Sequence, residues 1–111
     1  MKIAIPASSN TKDSDISMSF GRAPFFLIYD TDKEEYHFLI NPAVNSPGSA
    51  GTEAAHIILD NGADVLLTPS CGKNAAEIIN TAHIPIYKTI HKTTTENIDA
   101  FLTAELPQLN E

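Results

Sequence analysis

Apolar residues in this chain come in short bursts separated by polar, glycine- and proline-bearing stretches, and the spacing inside the bursts changes along the sequence. Ile3 to Ile5 is a short β-branched run closed by Pro6, which predicts a first strand followed by a long loop that opens with Ala7-Ser8-Ser9-Asn10-Thr11-Lys12-Asp13. Phe25 to Tyr29 is apolar throughout, as a strand buried on both faces requires, and Asp30 to Glu34 has turn chemistry. Tyr36 to Ile40 then returns as the hairpin partner. The stretch Asn41 to Gly51 is rich in glycine, proline and serine and predicts no regular structure.

Beyond it the period lengthens. From Thr52 to Asn61, Ala54, Ala55, Ile57, Ile58 and Leu59 fit a helical stripe, and Asn61-Gly62 supplies a left-handed stop. Val65 to Leu67 predicts a buried strand, Lys73 to Ala82 a second helix, and Ile84 to Tyr87 a last strand with Pro85 favouring a sheet edge. Thr93-Thr94-Thr95-Glu96 is a capping box, with Ile98, Phe101 and Leu102 as the core stripe of a final helix.

This order predicts an α/β domain over residues 1–111, in which a meander is followed by right-handed crossovers on a five-stranded mixed sheet flanked by helices. The expected strand order is 3-2-1-4-5, with strand two antiparallel. Parallel strands one, three, four and five would then end at the edge where strand two begins. Residues 6–24, 41–51, 68–73 and 88–93 converge there, and open sheets of this kind bind ligands where chain order reverses, here between strands one and four.

Charge sharpens this picture. The net charge is -7, which excludes a sequence-independent nucleic-acid binder and adsorption to anionic lipid, both of which need a basic face. Yet Lys12, Arg22, Lys73, Lys88 and Lys92 fall in or beside the converging segments, leaving Lys2 and Lys33 elsewhere. An anion site is therefore expected at that edge, although Asp13 and Asp15 lie there too. Both central helices should begin at it, after Gly48-Ser49-Ala50-Gly51 and Ser70-Cys71-Gly72, so that their free amides face a bound anion and the glycines allow close approach. Neither segment has the spacing of a nucleotide P-loop or a dinucleotide fingerprint.

The most informative run is Ser19-Phe20-Gly21-Arg22-Ala23-Pro24, directly before an apolar strand. Gly21 allows a backbone conformation closed to other residues, Pro24 stiffens the strand entry, and Arg22 offers five fixed donors to an anion. Cys71 is the one cysteine, so neither an internal disulfide nor a four-thiolate site can be built from one chain, and a reducing cytoplasm is the expected home. A helix N-terminus and Lys73 beside Cys71 would favour its thiolate, a ligand for soft metal. The bland alternative is a small buried residue closing a turn. His91 in the last edge loop is a second candidate ligand, against the alternative of a solvated loop histidine, while His37, His56 and His83 look structural. The opening residues hold no apolar stretch of signal length and no run is long enough to span a bilayer, so an unprocessed, soluble protein is expected.

Several segments together, in order, resemble the dinitrogenase iron-molybdenum cofactor biosynthesis family, which includes NifX and the C-terminal part of NifB. They are the opening strand, Phe20-Gly21-Arg22-Ala23-Pro24, the Asn41-Pro42 exit, the glycine-bearing loop into the first helix, Asn61-Gly62-Ala63-Asp64-Val65 and Cys71-Gly72-Lys73-Asn74-Ala75. The resemblance implies a three-layer ribonuclease H-like fold. It also implies a small non-enzymatic carrier or chaperone that binds an anionic metal-sulfur cluster containing iron, molybdenum or copper. Partners would be metallocluster assembly or acceptor proteins, with a monomer or weak dimer as the expected state. On this reading Ser19, Gly21, Arg22, Gly48, Gly51, Ser70, Gly72 and Lys73 surround the cluster and Cys71 and His91 contact metal. Ser19 stands where the family frequently has histidine, so a direct metal bond is sought at Cys71. Two other classes fit the same residues: a small-anion or nucleotide-responsive regulatory module, and a thiol hydrolase that pairs Cys71 with His91.

Overall fold

The computed structural model describes residues 1–110. Its strands are β1 (Lys2–Ala7), β2 (Phe25–Asp30), β3 (Glu35–Ile40), β4 (Val65–Thr68) and β5 (Ile86–Lys88), and its helices α1 (Ala50–Asp60), α2 (Lys73–Thr81) and α3 (Thr94–Leu102). The sheet order is β3-β2-β1-β4-β5. β2 runs antiparallel to both β1 and β3, whereas β1, β4 and β5 are parallel. This is the arrangement expected from the sequence, and it follows from the tight hairpin and the two helical crossovers.

Strand alternation feeds two cores. Ala4, Phe26, Ile28 and Leu66 face one way and pack with Ala54, Ala55 and Ile58 of α1 and Ala75 and Ile79 of α2. Ile3, Ile5, Leu27, Val65 and Leu67 face the other way, onto Ile98 and Ala100 of α3. Central strands apolar at every position thus bury both faces, as a sheet sandwiched between helices requires.

Several boundaries differ from the sequence expectation, each for a physical reason. β1 continues through Pro6 although it lies inside the sheet. The Pro6 carbonyl accepts from the amide of Ser17, so the side of the strand on which proline lacks an N–H faces the returning loop, and the ladder with β2 is intact. The 41–51 stretch holds a 3-10 turn at Pro42–Asn45, capped by the Asn41 side chain. α1 begins at Ala50, two residues early, taking Gly51 into its first turn. β5 starts two residues late, at Ile86, because Pro85 accepts from the Leu66 amide but cannot donate. In α3 the capping box of Thr93 and Glu96 is present, but Leu102 is exposed, and buried Asn97 and Ala100 take its place in the stripe. His37, His56 and His83 are all exposed. No helix among the described residues is long and apolar enough to cross a membrane.

Candidate functional site

The exit of β1 returns as a loop that is tied down before it reaches β2. Ile16 bridges back to Ala7, the Ser17 hydroxyl donates to the Ser19 carbonyl, and the Ser19 hydroxyl accepts from the Arg22 amide at 3.2 Å. The following turn is held by Asn41, which has no exposed surface. Its amide group donates to the carbonyls of Gly21 at 3.0 Å and Ala23 at 2.9 Å, and its oxygen accepts from the Ala43 amide at 3.0 Å. One buried side chain therefore grips the backbone on both sides of Arg22. The exposed guanidinium reaches across to donate to the Val44 carbonyl at 3.2 Å, and a guanidinium has further donors to spare.

Gly21 sits against the start of α1. A Cβ built on it would lie 2.7 Å from the Gly51 nitrogen and 2.9 Å from the Gly51 Cα. The glycine is required here by close approach of two backbones; its φ is not left-handed, so the reason expected from sequence is replaced by a steric one. Gly48 does have a left-handed φ of +112°. Gly51 packs toward Ala75, which brings α1 and α2 close at their N-termini.

Between these pieces lies a groove of about 440 Å³ lined by Met18, Ser19, Phe20, Gly21, Arg22, Gly48, Ala50, Gly51, Ser70 and Gly72. It contains the first residues of α1 and the N-cap of α2, Gly72. Neither helix has a side chain capping its first amides. The first amides of a helix have no intrahelical acceptor, so both helices present free donors and the positive ends of their dipoles here. α3 starts at the same edge, but its capping box occupies its own amides. Among the described residues the ion pairs join Met1 to Asp32 and His37 to Glu35, so no carboxylate neutralises Arg22.

Seven of the ten expected site residues, Ser19, Gly21, Arg22, Gly48, Gly51, Ser70 and Gly72, thus line one groove. The other three lie outside its lining. Lys73 is the exposed first residue of α2, next to Gly72. Cys71 lines a neighbouring depression with Lys88 and Leu109, half-buried and packed against the α1–α2 core. His91 and Lys92 line a third depression. Lys12 leaves the site altogether, its ammonium 5.1 Å from the centre of the Tyr36 ring. The expected cation cluster is therefore dispersed, because each edge loop follows its own path once its backbone groups are paired.

Cys71 also departs from its expected chemistry. Burial pushes its thiol above the ordinary thiol range, the opposite of the expected thiolate stabilisation. The residue precedes the N-cap, and desolvation by burial is the cause of the rise. Cys71 is expected to react with iodoacetamide at neutral pH more slowly in the folded protein than in the urea-unfolded chain; equal rates would show that the thiolate is not disfavoured.

Two features escaped the sequence reading. Met18 lines the groove although 75% exposed, and an apolar residue between two serines was the available signal. Asn41 and Asn97, both with no exposed surface, hold the edge loops. For Asn97 the signal was a poor helix former inside a helix.

With this geometry in view, the dinitrogenase iron-molybdenum cofactor family model matches residues 1–104. The apo form of the orange protein from Desulfovibrio gigas is similar at 27% identity with a TM-score of 0.92, over 99% of this chain and 96% of that one. A candidate NifB protein from Thermotoga gives 28% identity and a TM-score of 0.86, over 99% and 94%. A candidate dinitrogenase from Methanocaldococcus jannaschii, at 20% identity and a TM-score of 0.74 over 100% and 96%, shares the fold. No curated protein sequence matches the chain. Since the family model covers all five strands and all three helices, the chain belongs to the dinitrogenase iron-molybdenum cofactor family.

Proposed function

We propose that this protein is a non-enzymatic cytoplasmic carrier that receives an anionic metal-sulfur cluster, or its precursor, in the groove between the 19–22 loop and the starts of α1 and α2, and passes it to assembly or acceptor proteins. One observation carries the reading: two helices open onto the groove with uncapped amides beside an arginine that no carboxylate pairs. Such a surface neutralises spread negative charge without needing a particular metal bond. Among the described residues, no three His, Cys, Asp or Glu side chains come together to hold a metal ion. The donor set therefore suits recognition of the sulfide or oxide shell of a cluster. The family's iron-molybdenum cofactor points to the same kind of cargo.

The test is anaerobic titration with tetrathiomolybdate, alone and with added iron(II), followed by visible absorption and equilibrium dialysis. Saturable binding that weakens with salt is expected, and Arg22→Gln should weaken it by about tenfold, the loss of one charged hydrogen bond at a partly solvated site. Unchanged affinity in that variant would remove the groove from the reading. The same amides would serve a plain oxyanion. If phosphate or a nucleotide bound more tightly than tetrathiomolybdate, the small-anion regulatory reading would replace the carrier.

A further inference from the structure

The chain treats the two edges of its sheet differently. At the β5 edge residues 107–109 run alongside the strand: the Lys88 amide donates to the Pro107 carbonyl at 2.8 Å, the Leu109 amide donates to the Ile86 carbonyl at 2.6 Å, and Tyr87 bridges Gln108. β3, at the other edge, has β2 as its sole neighbour in the sheet. Its residues Glu35-Tyr36-His37-Phe38-Leu39-Ile40 include neither proline nor lysine, and the one-to-one register with β2 leaves no bulge. Proline, lysine and bulges are the devices by which proteins keep an exposed edge from pairing, so β3 is an unprotected strand.

One hydrogen bond fixes the direction of its free groups. The Asn41 amide donates to the Pro24 carbonyl at 3.1 Å, and bonding alternates along an antiparallel strand, so Leu39, His37 and Glu35 also turn their backbone groups toward β2. Tyr36, Phe38 and Ile40 therefore turn theirs away from the sheet. The side chains of these three residues share the α3 face, where Tyr36 and Phe38 pack against the core while Ile40 is left 77% exposed.

A second copy of β3 can add to this edge antiparallel, about a two-fold axis perpendicular to the sheet, which sets opposed residues on the same face. With Phe38 opposite Phe38 of the second copy, Tyr36 opposes Ile40 in both directions, and every outward amide and carbonyl of the strand gains a partner. Each exposed Ile40 is then covered by an aromatic ring, a cross-strand pair of the kind that stabilises sheets. On the other face His37 meets Leu39 and Glu35 meets Asn41, so no two acids are opposed although each copy carries a net charge of -7. Sliding to set Tyr36 against Phe38 would leave the Ile40 groups unpaired and place His37 against His37. Hydrogen bonding, apolar cover and charge thus select the same register.

We infer that β3 is a self-association edge, through which two copies of this chain join their five-stranded sheets into one continuous sheet centred on Phe38. A junction one strand long falls below the roughly 1,200 Å² of a standard stable interface, so the dimer belongs to the weak class, with a dissociation constant of about 100 µM. The inference is independent of the carrier reading: no residue lining the groove lies in β3, and the two-fold axis points the two grooves in opposite directions.

The test is sedimentation equilibrium of the full chain from about 10 µM to 1 mM, with reductant so that Cys71 forms no intermolecular disulfide. A monomer–dimer equilibrium is expected that tightens with added salt, because the like-charged copies repel. Ile40→Pro removes one outward amide at an exposed position, leaves the β2 ladder intact, and should weaken the dimer about tenfold or more. Leu109→Gln, which removes an exposed apolar side chain at the opposite edge, should leave it unchanged. In the parent protein, isotope-filtered NMR of a mixed labelled sample should show contacts between the α-protons of His37 in one copy and Leu39 in the other. A monomer at 1 mM, association that weakens with salt, parent affinity in Ile40→Pro, an equal loss in Leu109→Gln, or intermolecular contacts that omit β3 would each overturn the inference. The first of these would leave the edge to a strand of some other protein.

Discussion

Asn41→Leu should lower the unfolding free energy by about 3–9 kcal/mol, since three backbone groups each lose a buried partner at ~1–3 kcal/mol. Small proteins have only ~5–15 kcal/mol in total, so this one substitution is expected to leave the chain marginal at room temperature. The Gly21 and Ala23 carbonyls and the Ala43 amide are the groups concerned, and the side chain that serves them has no exposed surface through which water could replace it. Asn41→Asp should be similarly harmful for a different reason: it keeps the acceptor for Ala43 but sets a carboxylate oxygen against two carbonyls in a buried site. Urea denaturation gives the stability, and tetrathiomolybdate titration of the folded fraction gives the consequence for Arg22, which the same hydrogen bonds bracket. A midpoint unchanged in either variant would show that the loop is held by something else.

A single methyl at Gly21 is expected to be the next most damaging change. In Gly21→Ala the new carbon would meet the Gly51 nitrogen at 2.7 Å, the Gly51 Cα at 2.9 Å and the Ala50 carbonyl carbon at 3.0 Å. All three are backbone atoms, which cannot rotate away as the tip of a side chain can. Either the 19–24 loop lifts off or the first turn of α1 retreats, at a cost of about 1–3 kcal/mol or more. Both movements spoil the groove, so anion binding should fall by more than stability does. Gly72→Ala is the matched control: nothing lies within 4 Å of a Cβ there, and its φ of -62° is open to any residue. That variant should lose only the preference for glycine over alanine at an N-cap, about 1 kcal/mol or less. Thermal melts of the two glycine variants compare them directly, and equal melting temperatures would refute the steric account of Gly21.

The layers of the fold were legible because each is written in a local period. Alternating burial in Ile3, Ala4 and Ile5, and in Val65, Leu66 and Leu67, follows from every strand residue pointing opposite to its neighbours. The stripe of Ala54, Ala55 and Ile58, with a left-handed Gly62 just beyond, marks α1 as a helix with a stop. Chain order and the handedness of crossovers then leave few sheets to choose among. Boundaries at proline were less legible, since Pro6 is compatible with β1 only because its missing donor faces a loop formed by residues 14–17.

The site was half legible. Glycines, uncapped helix starts and Arg22 could be assigned to one edge from topology, because βα connections must leave the sheet at the carboxyl ends of parallel strands. The charge count along that edge misled, since it treated position in the sequence as position in the groove. Lys12 goes to the face of Tyr36, Lys88 accompanies Cys71, and Lys92 accompanies His91. The thiol shows the same gap: its neighbours in sequence favour a thiolate, while its neighbours in space are core side chains that disfavour charge.

By itself, then, the sequence determined the two cores, the strand order and the edge at which a ligand would be met, because burial periodicity and chain connectivity are properties of nearby residues. The tertiary structure alone decided which side chains share a cavity there. That choice depends on contacts across the chain: Asn41 reaching back to Gly21 and Ala23, Asn97 gripping the His91 loop, and Gly21 meeting Gly51. Long-range hydrogen bonds and close backbone approach leave no period in a sequence, only an isolated asparagine or glycine whose partner appears once the chain has folded.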